Sequence, residues 1–88
     1  MTFTGAYVLR DVLGTHYAVP VAREAGAKWR CFELPDEGAW LWRALERGEE
    51  DVAERYDARF GVAVSKAEEV LADFVGSLAA LGVVELRP

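Results

Sequence analysis

One cysteine and one histidine occur in this 88-residue chain, and their scarcity removes several kinds of chemistry. A single thiol closes no internal disulfide, and no secretory-type start is visible, so a reducing, cytoplasmic setting is expected. His16 and Cys31 stand fifteen residues apart with no further soft ligands around them, which is not a metal-binding pattern. The glycines are isolated punctuation (Gly5, Gly14, Gly26, Gly38), so no phosphate-cradling loop is present. Basic residues are also in deficit. Ten Lys and Arg against fifteen Asp and Glu leave a net charge of −5. Duplex binding draws its affinity from cations that neutralise phosphates, and anionic bilayers attract the same cations, so neither nucleic acid nor a membrane surface is an expected partner. No apolar run reaches the roughly 20 residues of a membrane-spanning helix. Internal repeats and low-complexity tracts are absent as well.

What is there suits one small globular domain. The chain is 52% hydrophobic and 11% aromatic, enough apolar area for a core but a modest one at this length. Residues 1–5 are expected to be a flexible N-terminus and residues 6–86 a single domain. Ala6–Leu13 and Thr15–Val21 are rich in β-formers and flank Gly14, a residue that tolerates the positive φ of a tight turn, so they predict a hairpin. The period of two puts Tyr17 and Val19 on one face and His16 and Ala18 on the other. Pro20 ends the ladder or marks an edge. After a charged connection over Ala22–Lys28, Trp29–Leu34 reads as a third strand with Phe32 and Leu34 toward the core.

At Leu34-Pro35-Asp36 the period changes from 2 to 3.6. A first helix is expected from Asp36, as N-cap, to about Arg47, with Ala39, Leu41, Trp42 and Leu45 inward and Gly48 as its stop. Trp40 lies about 200° from Trp42 around such a helix, so it is either partly exposed or a cover for the sheet edge. A second helix over Glu49–Phe60 aligns Val52, Tyr56 and Phe60. The third begins at an apparent capping box, Ser65 to Glu68, and carries an apolar stripe of Val70, Leu71, Phe74, Leu78 and Leu81. Gly76 in its interior costs about 1 kcal/mol relative to Ala and suggests a close neighbour. Val83–Leu86 forms a last short strand or an extended tail. The resulting fold class is α+β, winged-helix-like, with a three-stranded antiparallel sheet followed by three helices.

No nucleophile–base pair emerges, so the chain is not expected to be an enzyme. Cys31 falls mid-strand, where a small apolar residue of at least partial burial is the ordinary reading. His16 reads as a solvent-facing strand residue. Glu49, Glu50 and Asp51 sit at a helix start, where they offset exposed backbone donors. Trp29 admits two readings: packing against the preceding connection, or a wall against which an added peptide strand lies.

Several phrases, taken in order, carry a resemblance. Tyr7-Val8-Leu9-Arg10, Val19-Pro20, Leu34, Gly38-Ala39, Trp42, Tyr56 and Leu78 to Gly82 resemble the PqqD-like family of precursor-peptide recognition elements over about residues 5–86. Pro35-Asp36-Glu37 departs from the Asn and Thr or Ser usual there. The resemblance implies a cofactor-free, non-catalytic module that binds the leader segment of a ribosomally synthesised precursor peptide (a RiPP precursor). It presents that leader to a maturation enzyme such as a radical SAM protein, a cyclodehydratase or a leader peptidase. The leader would add as a strand to the third strand, beside the third helix. Carried onto this chain, backbone contacts are expected from Lys28, Trp29, Arg30, Cys31, Phe32 and Glu33. Apolar contacts are expected among Leu71, Phe74, Val75 and Leu78, with Leu71 and Val75 lining the groove and Val70, Phe74 and Leu78 in the core. Lys28 and Arg30 are either partners for acidic leader residues or solvated charges. The competing reading is a winged-helix DNA-binding regulator, against which Lys66 stands as the only Lys or Arg of the third helix.

Overall fold

A computed structural model describes residues 1–21 and 30–86. Strand β1 (Thr2–Phe3) is followed by β2 (Tyr7–Val12), β3 (Thr15–Pro20) and β4 (Phe32–Leu34). Helices α1 (Asp36–Glu46), α2 (Val52–Phe60) and α3 (Val64–Ala80) come next, and β5 (Val84–Glu85) closes the order. A three-stranded antiparallel sheet, β2-β3-β4, therefore precedes three helices, and the α+β class holds. The expected third strand is shorter than its pattern suggested. It runs over Phe32–Leu34, while Arg30 and Cys31 precede it outside the ladder.

The hairpin closes through two residues, with Val12 opposite Thr15. Leu13 has φ 51° and Gly14 φ 83°. Two successive positive φ values are the signature of a type I′ turn, whose twist matches that of the flanking strands. Glycine adopts this without cost, but Leu13 does so against its own Cβ and is fully exposed.

Four expectations at the chain ends, caps and helix starts are corrected. The N-terminus is not loose: Thr2 and Phe3 pair antiparallel with Glu85 and Val84. Thr4 donates from its amide to the Val83 carbonyl at 3.0 Å and from its hydroxyl to the Gly82 carbonyl at 2.8 Å. Asp36 is the first residue of α1 and not its cap, a place taken by Pro35 with no side-chain bond. The capping box does not form either. Ala67 N–H already bonds the Ala63 carbonyl, so α3 begins before Ser65 and leaves that hydroxyl inside the first turn. The second helix starts at Val52, not Glu49, whose carboxylate instead accepts from Arg47 Nε at 2.6 Å and from Arg55.

The core forms two clusters. Ala18, Leu34, Trp42, Leu78, Val83 and Val84 bury the inner face of the sheet against α1, α3 and the C-terminal strand, with Phe3 against the Trp42 ring. Leu41, Ala44, Val52, Ala53, Tyr56 and Ala67 fill the space between the helices. Trp42 is completely buried, as its neighbours Leu41 and Leu45 suggested. Trp40 is half-buried and stands edge-on to Tyr56 and Phe60, at 5.9 and 5.8 Å. Phe74 packs against both clusters and joins them. Gly76, by contrast, has no close neighbour: a Cβ there meets nothing within 4 Å.

Two substitutions test this local reading. Leu13→Asn replaces a residue strained in the left-handed region by one that accepts it, and Gly76→Ala removes a flexible residue from an open helix face. Each is expected to stabilise by about 0.5–1 kcal/mol. For a domain of this size that is a rise of a few degrees in Tm, read by thermal circular dichroism. A fall in Tm for L13N would contradict the turn geometry.

Candidate functional site

The first turn of α1, strand β4 and one face of α3 converge on a groove of about 430 Å³. Phe32 and Leu34 reach it from the strand because residues two apart share a face. Glu33 between them is exposed on the other side. From α1 come Gly38 and Leu41, and from α3 Phe74 and Leu78. Gly38 sets the width. A Cβ at that position would lie 3.3 Å from Leu34 Cδ2, 3.4 Å from Pro35 Cδ and 3.6 Å from Phe74 Cε1. Hydrogen in place of a methyl lets the strand end, the helix start and the α3 aromatic approach one another.

β4 is the outer strand of its sheet. It pairs with β3 through Ala18–Phe32, Tyr17–Glu33 and His16–Leu34. Among the described residues nothing pairs with its other edge, since the C-terminal strand is engaged with β1. An unpaired row of N–H and C=O groups thus runs beside an apolar trough, an arrangement suited to accepting another extended chain.

The expected apolar residues distribute differently from the sequence reading. Phe74 and Leu78 line the groove, together with Val70 and Leu81. Leu71 packs on the interhelical cluster, and Val75 is half-buried away from the lining. Helical geometry explains the exchange. With Val70 as zero and about 100° per residue, the α3 residues of the groove fall within roughly 80° of it, whereas Leu71 and Val75 fall at about 100° and 140°. Arg30 and Cys31 are exposed and precede the strand, so Cys31 is not the sheltered mid-strand residue its pattern suggested. Lys28, Trp29 and the Ala22–Lys28 connection lie outside the described residues. Gly38, Leu41 and Leu81 are lining residues that the sequence reading did not select. A glycine in the first turn of a helix, where alanine is intrinsically better, is the signal that pointed to Gly38. On the rest of α3, Lys66 reaches Glu69 at 3.5 Å, and Glu68 and Asp73 are exposed, so this helix presents no basic face.

His16 is not the solvated residue that was expected. Its side chain is 17% exposed and lies between two carboxylates, with Nδ1 2.6 Å from Asp11 Oδ1 and Nε2 2.7 Å from Asp36 Oδ1. Only the imidazolium donates at both nitrogens, so this geometry favours the charged ring. The bond to Asp11, then that to Asp36, raises the His16 pKa above its ordinary 6.5. The same His16 bond, with help from Arg43, lowers the Asp11 pKa below 3.8. Arg43 Nη2 donates to both Asp11 oxygens, at 2.8 and 2.7 Å. The network joins the hairpin end to α1, across a cleft from the groove-facing side of that helix.

These shifts fix a pH window. A raised His16 pKa adds stability that is present below 6.5 and lost as pH rises through the higher folded value. A lowered Asp11 pKa adds stability that is present above 3.8 and lost as pH falls through the lower folded value. The network is therefore most stabilising between those limits. Tm is expected to be higher at pH 5.5 than at pH 8.5, and His16→Gln is expected to reduce that difference. Identical pH profiles for the two proteins would remove the network from the account.

No family model matches the chain, and no curated protein matches it. Among solved structures, TbiB1 in complex with the TbiA(beta) leader peptide is similar, with a TM-score of 0.79 and 22% identity over 100% of this chain and 99% of that one. The chain thus has, from end to end, the fold of a protein that was solved with a leader peptide.

Proposed function

We propose that this chain is a PqqD-like, non-catalytic recognition element for the leader segment of a ribosomally synthesised precursor peptide. The leader adds as a strand to the free edge of β4 and seats its apolar side chains in the groove between β4, α1 and α3. The bound precursor is then presented to a modifying enzyme, which carries out the chemistry. The single observation that carries this reading is the open β4 edge running beside an apolar groove. The likeness to a protein in complex with a leader peptide supports it independently.

The physics of such a site divides attraction from selection. Main-chain hydrogen bonds along β4 attract an extended peptide with little regard to sequence. The side chains of alternate residues enter the groove and carry the discrimination. Phe32, Phe74 and Leu78 supply the apolar contact, and Gly38 leaves the room for it. A micromolar leader requires about −8 kcal/mol, a sum within reach of a few strand bonds and two or three buried anchors after ordering costs.

The test uses a candidate precursor peptide sought among the short open reading frames that flank this protein's gene. Its fluorescein-labelled leader is expected to bind by anisotropy in the micromolar range, and the amides of Phe32–Leu34 are expected to gain protection from hydrogen exchange on binding. Leu81 is 49% exposed at the groove, so Leu81→Glu charges the site without emptying the core. That variant is expected to lose at least tenfold in affinity, about 1.4 kcal/mol, with unchanged circular dichroism. Undiminished binding by L81E, or no protection along β4, would refute the site.

A further inference from the structure

Two carboxylates line the largely apolar groove, one from each helical wall. Glu37 precedes Gly38 on α1, and Asp73 precedes Phe74 on α3. Gly38 and Phe74 approach closely enough that a Cβ on the first would lie 3.6 Å from the ring of the second. The two acids therefore adjoin in sequence two residues that approach each other across the groove, and they line it from opposite helices. Both are exposed, and among the described residues neither is ion-paired. Among the described residues, no Lys or Arg lines the groove. The other carboxylates nearest this helix start behave differently: Asp36 faces His16 and Asp11 faces His16 and Arg43. The groove thus has a largely apolar floor and a rim with two carboxylates that make no ion pair among the described residues, although Glu37 also borders the pocket holding His16, Arg43 and Arg59.

We infer that the groove selects a peptide strand carrying a Lys or Arg two residues from its apolar anchor. Residues two apart on a strand share a face, so an anchor lying on Phe32, Phe74 and Leu78 directs its i±2 neighbour into the same trough. A Lys or Arg is suited to that place because its methylene stem covers apolar surface while its charged end reaches the rim, where Glu37 and Asp73 stand. An acidic residue there meets two like charges across a part-desolvated trough and is rejected. This inference rests on the peptide-binding reading above and adds to it the chemistry of the peptide.

The experiment is a selection from a random 12-residue peptide library displayed on mRNA, run in parallel on three proteins: the wild type, E37Q/D73N, and a control, E54Q/E68Q, which removes equal charge from exposed positions elsewhere. Wild type and control are expected to enrich apolar residues with Lys or Arg two positions away, at least threefold over the input frequency. The E37Q/D73N protein is expected to keep the apolar preference and lose the basic one. Enrichment without a basic excess, or a basic excess that survives E37Q/D73N, overturns the charge selection and leaves the peptide-binding reading standing. Failure of all three folded proteins to enrich any peptide overturns both.

Discussion

Val84 and Glu85 pair with Thr2 and Phe3, and that pairing decides which strand edge stays open. A C-terminal strand in so small a protein must bury its backbone donors somewhere, and the two available margins are those of the main sheet and the N-terminal residues. Here it is held by β1 and by the Thr4 bonds to Gly82 and Val83. Its Val83 and Val84 side chains reach the first core cluster around Trp42. The margin of β4 is left with no strand beside it among the described residues. Open edges of this kind are normally blunted because they invite association; this one adjoins a groove.

The groove follows from how the two core clusters meet. One buries the sheet and the other the interhelical space, and Phe74 belongs to both. Close contact between Gly38, Leu34 and Phe74 joins them at the base. Beside that contact lies the groove, and the side chains that would fill it are not supplied by the described part of the chain. The groove is therefore the space left between two well-packed halves. Its walls are rigid elements, which favours a precise fit for an extended ligand.

Charge is distributed to match this division. On the hairpin side of α1, carboxylates are neutralised by His16 and Arg43 and serve to hold β2 and β3 against the helix. On the groove side, Glu37 and Asp73 make no ion pair among the described residues, although Glu37 also borders the pocket that holds His16, Arg43 and Arg59. One short helix thus carries a paired acid at Asp36 and an unpaired acid at Glu37, one residue apart.

Much of the architecture was legible in the sequence because it depends on local rules. Gly14 between two β-rich runs specifies the hairpin, the change of period at Pro35 marks the start of α1, and the spacing of Val52, Tyr56 and Phe60 specifies the inward face of α2. Trp42 as core, Phe32 and Leu34 on one strand face, and the order of strands and helices follow from the same periodicities. Where a rule concerned only one residue's intrinsic preference, tertiary structure overrode it. Ser65 and Glu68 fit a capping box, yet α3 extends past them. His16 fits a solvated strand position, yet Asp11, its cross-strand partner in the hairpin, and Asp36 from the start of α1 close around it. The α3 stripe was readable, but its division between groove and core was not. That division depends on which side of the helix α2 covers, and no periodicity within α3 contains the position of another helix. For the same reason only the folded chain places β5 on β1, leaves the outer edge of β4 without a partner among the described residues, and turns Gly38 from a punctuating residue into part of a groove lining.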